Sequence, residues 1–244
     1  MKLSQSTYAI AGVLLASSCT APFAEEKSPL EASGNVLLTT DYVFRGISQT
    51  DNRVAIQGGL DLSYALNDAI SAYVGTWASN VAFAGSIEND VYGGFSGNVL
   101  GIDWDLGGLG YIYPGDHDLD YAEVYGSLGY GFSEVPLEPA VKIGLNYSPD
   151  NFAKTNDAYY LYGNLDLTLP YEVTFSAHGA RQWVKDNFTF GTPDYWDWSL
   201  SLSKNVIGFD VSVGYYDTDI KDSECFGGDS VCDSRVVVSV GRSL

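Results

Sequence analysis

The chain of 244 residues holds one methionine, two histidines and three cysteines, and only 12 Lys and Arg against 31 Asp and Glu. Beyond the N-terminal segment, no stretch approaches the roughly 20 apolar residues of a transmembrane helix. A membrane protein without helical spans must close a barrel, because lipid offers no partner to open backbone groups. The shortage of bases, with a net charge of −19, argues against nucleic acid and against direct attraction to anionic surfaces. Walker-type phosphate loops, zinc-ligand patterns and the G-x-S-x-G elbow of serine hydrolases are missing, so no cofactor, metal or enzymatic step is expected.

The N-terminus reads as an export signal: Lys2 gives the positive start, and Tyr8 to Ala16 (YAIAGVLLA) the apolar core. The expected cut follows Ala24, although Pro22 is a poor residue at the −3 position. Cys19 in LASSC fits a lipoprotein cysteine less well, since Ala16 stands where Leu is usual. Removing residues 1–24 leaves 11 bases against 31 acids, a net −20. Residues 25–33 read as an unstructured lead-in and 34–244 as one domain. In an exported chain, Cys225 and Cys232, flanking Gly227-Gly228 in CFGGDSVC, are expected to form a disulfide. A two-cysteine metal site would lack histidine partners nearby.

What the sequence has in quantity is glycine (27), tyrosine (18) and alternation. Apolar residues recur at every second position in about twelve runs, at 35–45, 54–64, 70–79, 87–97, 101–113, 121–132, 139–147, 158–168, 172–183, 195–203, 208–216 and 234–243. In 208–216, Phe209, Val211, Val213 and Tyr215 oppose Asp210, Ser212, Gly214 and Tyr216. Short connections such as Asn67-Asp68 and Asn205 to Ile207 mostly alternate with longer polar ones such as Gly46 to Arg53 and Asp217 to Asp233. Alternation alone suits a soluble, exported sandwich too. Strand number, signal and turn asymmetry favour an all-β fold, a transmembrane antiparallel up-and-down β-barrel of about twelve strands. An even strand count puts both termini in the periplasm. The last strand ends in Leu244 where the insertion signal usually has an aromatic, and Arg242 takes a usually apolar position. Outer-membrane lipids and the barrel-assembly machinery are the expected partners, with small solutes or ions as cargo.

The inward face would carry Asp41, Asp61, Glu88, Asp90, Asp103, Asp105, Glu123, Asp166, Asp197 and Asp210 against Arg45 and Lys142, with Arg235 as a further candidate. Acidic rings favour cations, so a weakly cation-preferring pore is one expectation. The other is a plugged or narrow lumen in which these charges pair; Tyr73, Trp77, Tyr92, Tyr125, Tyr160 and Tyr162 would fill much of a twelve-stranded interior. Arg45, at the outer end of the first strand, is either a constriction charge or an ion-pair centre. The 116–120 run DHDLD fails the EF-hand template, with Tyr121 in place of Gly and Ser127 in place of Glu. His178, with Ser176 on the same face, lacks the rest of a hydrolase constellation and reads as a hydrogen-bonding lumen residue.

DYVFRGISQTD (41–51), QGGLDLSY (57–64), YVGTWASNV (73–81), YPGD (113–116), EVYGSLGYGF (123–132), LNYSPD (145–150), YLYGNLDL (160–167), DWSLSLSK (197–204), FDVSVGYYDTD (209–219) and CDSRVVVSVGRSL (232–244) follow one another in order. Together they resemble the TorF-like family of porins, proteobacterial outer-membrane proteins. The resemblance spans essentially the whole mature chain and implies an outer-membrane barrel with a channel role. It carries no catalytic or substrate-binding residues. The Leu ending departs from the aromatic ending expected of the family. Passive diffusion of small solutes or ions is the expected function. A non-conducting barrel that acts through its extracellular loops is the alternative.

Overall fold

The computed structural model describes residues 29–244. The export signal, its cut at Ala24, Cys19 and residues 25–28 of the lead-in lie outside the described residues. Alternation produces strands along nearly the whole of the rest: β1 Leu30–Thr39, β2 Val43–Phe44, β3 Ile47–Ser48, β4 Ala55–Asn67, β5 Ile70–Asn80, β6 Ile87–Val99, β7 Ile102–Ile112, β8 Tyr121–Gly131, β9 Ala140–Ser148, β10 Ala158–Leu169, β11 Val173–Val184, β12 Tyr195–Val206, β13 Phe209–Thr218 and β14 Arg235–Ser243. Twelve of them, β1 and β4 to β14, form a closed antiparallel barrel in chain order, and β1 closes on β14. One α-helical turn, α1 (Asn187–Phe190), and six 3-10 turns lie in the connections.

The two faces separate as a period of two requires. Leu60, Leu62, Val74, Val91, Phe95, Leu106, Leu128, Ile143, Leu200 and Val213 project outward. Closure leaves no open edge, the condition for a sheet to sit in lipid. One end carries tight turns. Leu100-Gly101 and Ile207-Gly208 are two-residue turns with positive φ throughout, matched to strand twist. Each is clamped by an asparagine: Asn98 Oδ1 accepts from Gly101 N–H (3.0 Å) and Asn205 Oδ1 from Gly208 N–H (3.1 Å). Both chain ends of the barrel lie at this end, and the long connections lie at the other.

Four tyrosines and four glycines are paired across the wall. Tyr92 lies against Gly75, Tyr73 against Gly94, Tyr125 against Gly107 and Tyr162 against Gly144, so closely that a Cβ on the glycine would overlap the phenol ring or its oxygen. Wall glycines are notches that receive the inward rings.

The first strand departs from expectation at both ends. It starts at Leu30, inside the segment read as a lead-in, and Leu30 to Ser33 pair with Tyr64 to Asp61 of β4. It stops at Thr39, so Arg45 is not on it. Thr39 Oγ1 donates to the Asp41 carbonyl (2.9 Å) and the chain leaves the wall. Residues 40–53 then fold back into the barrel around the β2–β3 hairpin.

Candidate functional site

The inserted segment is built around Asp41 and Arg45. Asp41 Oδ1 accepts from Ser48 Oγ (2.6 Å) and Thr50 Oγ1 (2.7 Å), which closes the segment on itself. Its other oxygen receives Arg235 Nη1 from β14 at 2.9 Å, and both charges are buried. Arg45 and Gly46 form the tip of the hairpin, both at positive φ. Arg45 Nη2 donates to both oxygens of Glu123 on β8 (2.7 Å each), and Nη1 to Gln182 Oε1 on β11 (3.0 Å). Its guanidinium also lies over Tyr160 of β10 (4.3 Å) and Phe44 (4.7 Å). With side-chain exposures of 8% and 1%, Arg45 and Glu123 form a buried pair. Such a pair is held by geometry and satisfied lone pairs more than by raw attraction. Asn146 Nδ2 (2.8 Å) and Tyr111 Oη (3.3 Å) supply the remaining donors to Glu123.

The hairpin is fastened elsewhere too. Tyr42 donates to Glu88 Oε1 (2.8 Å), and Tyr113 to Oε2 of the same carboxylate (2.6 Å). Phe44 meets Tyr111 edge-on. Ile47 packs with Tyr195, Ile220 and the Cys225–Cys232 disulfide, which is formed as expected. Segment 40–53 therefore reaches walls on β6, β8, β11 and β14 and occupies the half of the lumen next to the long connections, called the outer half from here on.

In the inner half the carboxylates bond wall side chains instead of the inserted segment: Tyr73 donates to Asp105 (2.6 Å) and Tyr92 to Asp61 (2.5 Å). Ser176 Oγ donates to Asp166 (2.5 Å), and its partner is thus not His178. His178 shares Nε2 between Tyr160 (2.9 Å) and Asp197 (3.2 Å), with Nδ1 on Asn164 (2.6 Å), the hydrogen-bonding role read for it. Lys142 and Asp103 flank Gly129 from the two neighbouring strands.

The inward-facing candidates thus fall into three tiers. Asp41 and Arg45 belong to the inserted segment, with Glu88, Asp90, Glu123, Asp197 and Arg235 on the wall around it; Asp61, Asp105, Lys142 and Asp166 line the half-buried inner lumen; Asp103 and Asp210 bond Asn98 (2.7 Å) and Asn205 (2.8 Å) at the inner turns. Asp90 Oδ1 and Asp197 Oδ2 have no hydrogen-bond partner among the described residues. Gln182 was not singled out from sequence, although its period-two position in β11 faces inward. Asn146 alternates with the outward Leu145, so period two turns it inward, yet nothing local marks it as a partner of Glu123.

A family model of a bacterial protein of unknown function (Gcw_chp) matches residues 23–244. The chain belongs to this family. The match does not extend to the TorF-like group as such. No protein of curated function matches the sequence. Among solved structures, the Gcw_chp chain is similar to the NanC porin, with 11% identity, a TM-score of 0.52, 85% of this chain and 97% of that one covered. It is also similar to OmpF of Salmonella typhi, crystallised in complex with daunomycin: 7% identity, TM-score 0.50, and 88% and 97% covered. At these identities the likeness is one of fold, that of outer-membrane barrels.

Proposed function

We propose that this chain is an outer-membrane channel for passive diffusion of small solutes or ions, cation-preferring, and throttled at its outer half by segment 40–53. The observation that carries the reading is a lumen of two characters. The inner half is polar, half-buried and acidic; the outer half is occupied by one hairpin held at its tip by one arginine. This agrees with the porin role implied by the TorF-like resemblance. On this reading the protein is exported through residues 1–24 and inserted into the outer membrane by the barrel-assembly machinery. Acids outnumber bases along the path, which favours cations.

The same latch favours a second reading, a barrel that stays shut and acts through its loops. Planar-bilayer recording of the refolded mature chain under a salt gradient separates them. Arg45→Ala leaves Glu123 buried without its guanidinium, a loss of roughly 3–5 kcal/mol for a buried pair. That loss falls on docking of the hairpin rather than on the barrel. The channel reading expects brief, small cation-preferring steps from the wild type and long, larger ones from Arg45→Ala. Silence from both, in protein shown to be folded and inserted, supports the shut barrel.

A further inference from the structure

Ten of the twelve bases lie among the described residues, and most are committed within the chain. Arg45, Arg53, Lys185, Lys221 and Arg235 each hold a carboxylate. Arg181 is different. Its neighbours in β11, Ala180 and Gln182, are buried inward, so its own side chain leaves on the lipid side. It stands three residues from the outer end of the strand, directly opposite Trp196 of β12. Its guanidinium lies 5.5 Å from the Trp196 ring and 6.0 Å from that of Trp183. The nearest carboxylate oxygen, on Asp219, is 3.9 Å away, beyond hydrogen-bond reach. The other oxygen of Asp219 is occupied by Trp196 N–H (2.7 Å). No acceptor among the described residues engages any of the five donors of Arg181.

A second observation adjoins it. Leu161 lies opposite Arg181, Leu145 opposite Leu161, and Gly126 opposite Leu145, a row across four neighbouring strands. Gly126 leaves an outward position without a side chain. The notch opens into an apolar furrow of about 420 Å³ on the lipid face, bordered by Leu128, Ile143, Leu145 and Leu161. A planar cation with unspent donors therefore sits at the interface, between two indoles suited to headgroup depth, beside a groove of acyl-chain character.

We infer that Arg181, Trp183 and Trp196 form a lipid site on the outer rim that takes a phosphate of an outer-leaflet glycolipid, with an acyl chain in the Gly126 furrow. A guanidinium fork matches phosphate geometry with two parallel hydrogen bonds. Asp219 is the carboxylate paired with Arg181, and at 3.9 Å it leaves the guanidinium donors available to a phosphate. The site rests on the proposed outer-membrane placement but not on conduction.

The test uses the refolded mature chain in detergent, its fold checked by the heat-dependent shift of barrels on gels. Native mass spectrometry reads retention of diphosphorylated lipid A, its dephosphorylated form, and phosphatidylglycerol. Expected are lipid A retention by the wild type, at least a tenfold loss on dephosphorylation or in Arg181→Gln, and partial recovery in Arg181→Lys. Gly126→Leu, which fills the furrow, should also weaken retention, while Arg242→Gln at the opposite rim should not. Wild-type retention by Arg181→Gln, or indifference to dephosphorylation, overturns the site. Equal retention of phosphatidylglycerol overturns its assignment to a glycolipid. A silent channel that still binds lipid A through Arg181 sinks the conduction reading and leaves this one standing.

Discussion

Arg45 reaches the centre of the lumen only because Gly46 follows it. At φ +80°, Gly46 adopts a conformation that side chains rarely take. A Cβ there would lie 2.8 Å from that of Asp197 and closer still to the Thr218 side chain. Gly46→Ala is expected to cost the hairpin about 1–3 kcal/mol from backbone strain alone, with the overlap added. The barrel strands do not pass through this turn. The expected outcome is an intact gel shift with new protease cleavage between residues 40 and 53. Protection equal to the wild type would show that the hairpin can dock without its turn geometry. The charge of Arg45 was legible in the sequence; its destination was not. In Asp-Tyr-Val-Phe-Arg the alternation simply continues from β1, and Glu123 lies 78 positions away.

At the scale of elements, period two and short turns marked eleven of the barrel strands closely, because half of each strand must face lipid. The first strand, Leu30–Thr39, lies five to six residues earlier than the run 35–45, because its continuation alternates for a different reason, packing inside the lumen. Loop-to-loop ties were also hidden. Lys185 begins the loop after β11, and its Nζ lies 2.9 Å from Asp157 Oδ2 before β10. Lys185 N–H also donates to the Asp157 carbonyl (2.9 Å). The hydrogen bond from Lys185, then that from Tyr147, holds the Asp157 carboxyl below its usual range, and Lys185 is raised in return. The sign follows: this tie is complete above the ordinary carboxylate value of about 4 and weakens as pH falls through the lower folded value. On the alkaline side it weakens as pH rises through the raised value of Lys185. Amide exchange in residues 185–194, corrected for intrinsic chemistry, should be flat between roughly pH 5 and 9 and rise in acid. In Lys185→Gln the acid onset should move upward. An identical profile in the variant would exclude the tie as the cause.

For the molecule as a whole, alternation and turn asymmetry point to a closed barrel and composition to its acidity, whereas the division of its lumen into a filled outer half and a polar inner half comes only with the three-dimensional arrangement. If the inner half sets selectivity, Asp61→Asn with Asp105→Asn should move the reversal potential of the open Arg45→Ala channel toward zero. Both asparagines can still accept from Tyr92 and Tyr73, so the rings stay in their notches. An unshifted potential would place selection elsewhere along the path. The circumference itself is uneven. Five ladder pairs, Asn35 to Thr39 with Ser243 to Ser239, join β1 to β14, extended by backbone bonds between Gly34 and Leu244 and between Thr40 and Val238, whereas ten ladder pairs join β1 to β4. Under lateral tension this cylinder has a shortest stitch, and it lies where the first and last strands meet. A force that pries at the wall meets the fewest ladder pairs along that line.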